Sequence, residues 1–182
     1  AIFTNDDDLA HTIRGIVNHG MYKRYHHDVV GVNSRLDSIQ AAVLDAKLPH
    51  LDSYNKARQN TARKYNLAFK DHPNIITPKA GNGCVTLCDN CDCHVFHQYT
   101  LKLKNVDRDG LVDHLNAKGI PCGVYYPIPL HNQKAYQDDR YDDKDFQITN
   151  QLSNEVISLP MHTELDDEQI EFITSSVLAY LT

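Results

Sequence analysis

An α/β protein in two parts is what this sequence predicts, and three observations predict it. Apolar residues recur at helical spacing through most of positions 1–70, each run preceded by small polar residues that start helices. Strand-like runs then gather at residues 74–77, 94–103 and 122–126. Between the last two lies a further helix pattern, and another closes the chain behind a full start signal. A chain of 182 residues is long enough to bury one good core. The pattern divides it near residue 70. Residues 1–70 are helical with a long bridging helix; residues 71–182 form a small α+β domain with a mostly antiparallel sheet covered by helices on one face.

Taken in order, residues 1–4, AIFT, form an apolar run with no polar lead-in, read as a strand whose preceding neighbours are absent. The expectation is a piece of a longer chain. In TNDDDLAHTIRGIVNHG, Asn5 or Asp6 is the N-cap, acidic residues fill the first turn and Gly20 lies past the end. Leu9, Ile13, Ile16 and Val17 make the apolar face. Residues 21–32, rich in His and Tyr, follow neither period and read as a loop. From Ser34 the pattern is helical, with Leu36, Ile39, Val43 and Leu44 on the buried side. Pro49 kinks or restarts that helix, which runs on through Tyr54, Ala57, Ala62, Tyr65 and Phe69. In the second part, VDRDGLVDHLNAKGI is a helix capped by Asp107 and ended by Gly119. Residues 137–146, QDDRYDDKDF, form an acidic surface loop, and residues 155–159 a short extended run. The closing helix opens on a capping box, Asp166 with Gln169, and a Leu165–Ile170 staple.

Composition narrows the function. Hydrophobic residues make up 41% and charged residues 23%, as in ordinary globular domains, and the net charge is −6. With no basic run or basic face, a general nucleic-acid or acidic-membrane binder is excluded. No apolar stretch approaches the roughly 20 residues of a membrane span, and no signal peptide opens the chain. Five cysteines, four of them in one short segment, make a poor disulfide framework, so the cytoplasm is the expected compartment.

Two stretches carry candidate chemistry. In GVNSRLDSIQ, Asn33, Ser34 and Arg35 stand where a helix begins. Free N–H groups and the positive dipole end favour an anion there, Asn33 and Ser34 donate hydrogen bonds, and Arg35 adds a planar fork. The plainer reading is that Asn33 or Ser34 caps the helix while Arg35 is solvated or paired at the surface. No acid within the helix pairs with it, since Ser38 and Ile39 occupy the neighbouring positions three and four residues on. The second stretch, CVTLCDNCDCH, sets Cys84, Cys88, Cys91, Cys93 and His94 close together. Thiolates so spaced can close a tetrahedral zinc site. Against it, no second C-x-x-C stands at a proper separation, and the plainer reading is a surface loop with free or locally paired thiols.

Five blocks in one order carry a resemblance over nearly the whole chain outside the cysteine segment: AIFTNDDDLAHTIRGIVNHG, GVNSRLDSIQAAVLDAKLPHLDSYNKAR, HVFHQYTL, VYYPIPLHNQKAY and ISLPMHTELDDEQIEFI. The sequence resembles the C-terminal half of a nucleotide-sugar aminotransferase of the DegT/DnrJ/StrS family. These are homodimeric pyridoxal-phosphate enzymes of the aspartate-aminotransferase fold (fold type I). The resemblance implies that Asn33 reaches the phosphate of a cofactor held mainly by the partner subunit, with Arg35 shaping that site. It implies that His131, in the PLH block, contacts substrate or cofactor near the partner's pocket; the plainer reading is a polar loop histidine. It also implies that His19 and the segment to His26 and His27 approach the neighbouring active site; the plainer reading of His26 and His27 is a solvent-exposed pair. Tyr125, Tyr126 and Gln133 become walls of the site. Asn132 departs from the leucine often found between the family's His and Gln.

The same resemblance sets what this chain leaves out. The family's Schiff-base lysine lies shortly before the strand with which this sequence opens. An active-site lysine needs a desolvated pocket to lower its pKa. Lys23, Lys47, Lys56, Lys64 and Lys70 sit in loop or amphipathic-helix settings where a solvated ammonium is expected. The expectation is an amino transfer, from glutamate to a keto group on a nucleotide-linked sugar for surface polysaccharide, that needs the missing half. The alternative is a non-catalytic structural or zinc-binding remnant using residues 84–94.

Overall fold

A computed structural model describes residues 1–79 and 94–182. The chain forms two compact units, residues 1–50 and residues 51–182.

In the first unit, helix α1 spans Asp7–Ile16. Asp6 caps it by accepting the Leu9 N–H at 2.9 Å, with Asp7 and Asp8 in the first turn and Arg14 in the last, each charge suited to its end of the helix dipole. Residues 1–4 form no strand, contrary to the expectation: among the described residues no neighbouring strand pairs with them. Residues 21–32 are not a plain loop either. Strands β1 (Met21–Lys23) and β2 (His26–His27) pair antiparallel, Met21 opposite His27, around a turn in which Tyr25 takes φ 65°. Gly20 is required where it stands: its φ is +75°, and a Cβ there would lie 1.7 Å from the Val29 carbonyl oxygen.

Helix α2, Ser38–Lys47, starts four residues later than the sequence pattern suggested. Its cap is Asp37, which accepts the Gln40 N–H at 2.8 Å. Its expected buried side is exposed throughout, with Ile39 at 80%. A 3₁₀ turn at Leu48–His50, holding Pro49, separates α2 from the next helix, because proline has no N–H to continue the ladder.

The second unit begins with α3, Leu51–Ala68. The sequence grouped this helix with the first part and set the boundary near residue 70; its packing places it here. The Tyr65 ring meets Tyr99 at 4.9 Å and its hydroxyl donates to the Pro160 carbonyl at 3.0 Å, while Arg58 donates to the Met161 carbonyl at 2.9 Å. Strands β3 (Ile75–Ile76), β4 (Tyr99–Leu103) and β5 (Val156–Leu159) form an antiparallel sheet in the order β3-β4-β5, as expected of the small domain. Tyr99 pairs with Leu159 and Leu101 with Ile157. Along β4, Tyr99, Leu101 and Leu103 are buried while Thr100 and Lys102 are half-buried, the period-2 alternation of a sheet with one core face.

That core is closed by α3 with Phe69, by α4 (Arg108–Ala117) through Leu111 and Leu115, and by α6 (Asp167–Leu181) through Ile170, Ile173 and Val177. Asp107 caps α4 on the Gly110 N–H, and Gly119 follows its end at φ +73°. Asp166 and Gln169 form both bonds of the capping box, and Leu165 packs against the core that holds Ile170. Lys64 on α3 pairs with Asp167 on α6.

Three expectations for this unit change. Residues 94–98 do not extend β4: Phe96 takes φ 48° and turns its ring into the core, fully buried. Residues 122–126 make only a single bridge, Gly123 to Ser158, between Pro121 and Pro127. Helix α5, Gln147–Glu155, was not anticipated; it passes directly into β5 at Val156. The buried guanidinium of Arg108 donates from Nη1 to the Ser153 and Val156 carbonyls, at 3.0 and 3.2 Å, across that junction. Cys84, Cys88, Cys91 and Cys93 lie outside the described residues. No helix among the described residues is long and apolar enough to cross a membrane.

Candidate functional site

The first candidate constellation lies wholly in the first unit. After α1 the chain runs antiparallel to residues 32–34. The Val32 N–H donates to the Ile16 carbonyl at 2.8 Å, the His19 N–H to Val32 at 3.0 Å, and the Ser34 N–H to Val17 at 3.0 Å. This ladder brings His19 and Asn33 onto adjoining segments, with Asn18 paired to Asn33. The helix mouth itself belongs to Asp37, so Asn33 and Ser34 are not caps. They stand on an extended lead-in fixed by backbone bonds. A signal for this was present: Asp37 and Gln40 have the spacing of a capping box.

Asn33 Oδ1 accepts a hydrogen bond from Arg35 Nε at 3.0 Å. That bond spends the amide's acceptor and turns its NH₂ outward as a donor. Among the described residues, neither that NH₂ nor the terminal nitrogens of Arg35 have a partner, and no carboxylate pairs with Arg35. Both side chains are exposed. Arg35 borders a hollow of about 620 Å³ together with Arg14 and Ser34. An amide donor beside an unpaired guanidinium is a donor set suited to phosphate, so these residues fit the anionic end of the expected cofactor. His19 adopts φ 60°, and its carbonyl accepts from His27 Nδ1 at 2.9 Å; His19, His26 and His27 are all exposed.

His131 lies in the second unit, at the 3₁₀ turn Leu130–Asn132. It is one of the more enclosed polar side chains, 10% exposed. Its Nε2 lies 3.1 Å from Asp143 Oδ1, and its ring stacks on Phe146 with centroids 4.2 Å apart. Asn132, at the position that departs from the family pattern, donates to the same Asp143 oxygen at 3.0 Å. The hydrogen bonds from Asn132 and His131 hold the Asp143 carboxyl below the usual carboxylate range. His131 borders a cavity of about 670 Å³ with Tyr136, Tyr141 and Phe146. Tyr125, Tyr126 and Gln133 line a second cavity of about 510 Å³, with Leu130, Leu152 and Val156.

Asp143 and Phe146 were not singled out from the sequence. They fall in a run with Asp138, Asp139, Asp142 and Asp145, and nothing local distinguishes the one carboxylate that meets the imidazole. Among the described residues no three His, Cys, Asp or Glu side chains gather as a metal site. The His94 ring is engaged otherwise: its Nδ1 accepts the Phe96 N–H at 2.9 Å and it packs on the Phe96 ring.

Comparison with known proteins bears on both constellations. Residues 1–178 match the model of the DegT/DnrJ/EryC1/StrS aminotransferase family. The chain is 40% identical over 177 residues to the UDP-2-acetamido-2-deoxy-3-oxo-D-glucuronate aminotransferase of Pseudomonas aeruginosa, covering 97% of this chain and 45% of the relative. It is 36% identical over 180 residues to the dTDP-3-amino-3,6-dideoxy-alpha-D-galactopyranose transaminase of Aneurinibacillus thermoaerophilus, covering 99% and 46%. A crystal structure of a family aminotransferase from Brucella abortus superposes with TM-score 0.81 at 36% identity, over 98% of this chain and 45% of the other. The S. venezuelae DesV structure gives 0.83 at 32%, over 97% and 45%. The chain spans about half the length of the curated relatives it matches.

Proposed function

The chain belongs to the DegT/DnrJ/EryC1/StrS aminotransferase family, and on that premise we propose that it is the C-terminal portion of a pyridoxal-phosphate-dependent aminotransferase. Its substrate is a nucleotide-linked keto sugar destined for surface polysaccharide, and its amino donor is glutamate. The observation that carries this reading is the family match over residues 1–178, with relatives named for UDP- and dTDP-sugar transamination.

Bound pyridoxal phosphate supplies the electron sink through which an amino group moves to a keto carbon. This chain's part is binding and orientation. The Asn33 NH₂ and the Arg35 guanidinium donate to the phosphate, and the Arg35–Asn33 bond keeps the amide turned the right way. Within the second unit His131 is assigned a contact to the sugar substrate; within the first, His19 stands beside Asn33. Among the described residues, we assign none to carrying the proton between carbons. Every lysine is exposed except Lys102, which is half-buried and pairs with Glu155 at 3.1 Å. That supports assigning the Schiff-base lysine to the remaining length of the protein. The exposed apolar residues of α2 support a partner surface, supplied by a homodimer or by a polypeptide carrying the N-terminal half.

The test uses the intact, dimeric protein. Asn33→Ala removes a donor to an anion, and about tenfold weaker cofactor retention is expected, the effect of roughly 1.4 kcal/mol from one charge-assisted bond. Retention and turnover unchanged would overturn the assignment of Asn33. Separately, this chain alone is mixed with pyridoxal phosphate and reduced with borohydride. No stoichiometric label on a lysine is expected; a label on one lysine would place the Schiff base in this chain.

A further inference from the structure

The acidic run at residues 137–146 reads in the sequence as solvated surface. In the fold, one of its carboxylates is committed. Asp143 Oδ1 receives two donors, His131 Nε2 at 3.1 Å and Asn132 Nδ2 at 3.0 Å. The turn that carries it is pinned to α5, because Asn150 Nδ2 donates to the Asp143 carbonyl at 3.0 Å. From the same turn, Phe146 lies against the imidazole with an interplanar angle of 20°. The ring is therefore fixed on one edge by a carboxylate and on one face by an aromatic, both from a single 3₁₀ turn, Asp143–Phe146.

An ionised carboxylate only accepts, so the proton of a neutral His131 sits on Nε2. That leaves Nδ1 as the free nitrogen. Among the described residues nothing bonds it, and the His131 side chain keeps 10% of its surface open. A fixed tautomer leaves one acceptor for a ligand, and His131 stands on the wall of a cavity shared with Tyr136 and Tyr141.

We propose that Asp143 is a positioning residue for His131: it holds the imidazole as the Nε2–H tautomer and so presents Nδ1 as an acceptor to a hydroxyl or N–H of the nucleotide sugar. This rests on the reading of His131 as a substrate contact. Asp143 touches no substrate and acts through the ring. Asn132 is the second donor to the same oxygen, which holds the carboxylate in place.

Two measurements on the intact protein test it. With ¹⁵N-labelled histidine, and the His131 signals assigned by His131→Gln, the ring-nitrogen shifts report the tautomer. The Nε2–H form is expected in the unaltered protein and a mixture in Asp143→Ala, with Asp143→Glu returning toward the original shifts. In turnover, Asp143→Ala should lower kcat/KM for the nucleotide sugar about tenfold, as loss of an orienting partner does. Added to His131→Ala, it should cost nothing more, because both changes remove one function. A tautomer unchanged by Asp143→Ala, or an equal further loss in the His131→Ala background, overturns the proposal. Full turnover by His131→Ala overturns it together with the substrate role of His131. If the unaltered protein transfers no amino group, the proposed function fails, and the ring-nitrogen shifts alone decide what Asp143 does.

Discussion

The two units handle their apolar residues in opposite ways. Residues 51–182 bury theirs: Ala62, Tyr65, Phe69, Phe96, Leu101, Leu111, Ile157 and Val177 meet in one core. Residues 1–50 carry as clear a helical pattern, yet among their described side chains none of the large apolar ones is buried, and α2 shows Ile39, Val43 and Leu44 to solvent. The lesson is that periodicity specifies which side of a helix is apolar and says nothing about what covers it. In the second unit the cover is within the unit. In the first it is not.

Core truncation gives the sharpest contrast. Leu101→Ala, at a fully buried sheet position, should destabilise the chain by about 2–5 kcal/mol, the range for a buried leucine that leaves a cavity. Ile39→Ala, on the exposed side of α2, should change stability by less than about 0.5 kcal/mol. Urea unfolding of the two variants measures both, and a large loss from Ile39→Ala would break the comparison.

A second contrast appears at high pH. Burial pushes the Tyr65 and Tyr99 phenols well above the ordinary value, and the Tyr65 ring adds to the shift at Tyr99, whose hydroxyl donates to Asn66 at 2.6 Å. Their folded forms keep the proton while the unfolded chain releases it near pH ~10. The unfolded state then binds fewer protons, so stability is intact below that pH and falls as pH rises above it. The phenolate absorbance of these two tyrosines should appear only together with loss of circular dichroism. Early, reversible ionisation of every tyrosine without unfolding would contradict the burial.

The smallest effect comes from the caps. Asp166→Ala removes the carboxylate that accepts the Gln169 N–H in the capping box of a helix that closes the core, and about 1 kcal/mol of global stability should go with it. Asp37→Ala breaks an equivalent bond on α2, which buries nothing, so it should reduce helix content in the first unit and leave the unfolding midpoint of the second where it was. Equal midpoint shifts would show that the two units unfold together.

What could be read in the sequence follows from how local its cause is. The ends of α4 and α6 were legible, because Asp107, Gly119, Asp166 and Gln169 satisfy backbone groups within their own turns. The start of α2 was misplaced because Asn33 and Ser34 are good caps in isolation; Val32 and Ser34 instead bond to residues 16–19 and hold the segment extended, a pairing no local window contains. Strand β4 proved shorter than its pattern, since Phe96 gains more by entering the core through a left-handed turn than by extending the ladder. At the site, Asn33 and Arg35 were singled out by the helix-start pattern, and His19 and His131 through the resemblance. Asp143 was out of reach, because its only distinction from four neighbouring aspartates is a tertiary contact twelve residues away.

The junction of α5 and β5 has a consequence for how this protein can vary. A helix that hands over to a strand without a single linking residue has no slack, and Arg108 holds carbonyls on both sides of the seam. One residue inserted between Glu155 and Val156 would rotate β5 by half its repeat, sending Ile157 and Leu159 off the core face of the sheet and Ser158 onto it. Length changes in this lineage should therefore collect in the connections before α5 and after β5, and spare the seam itself.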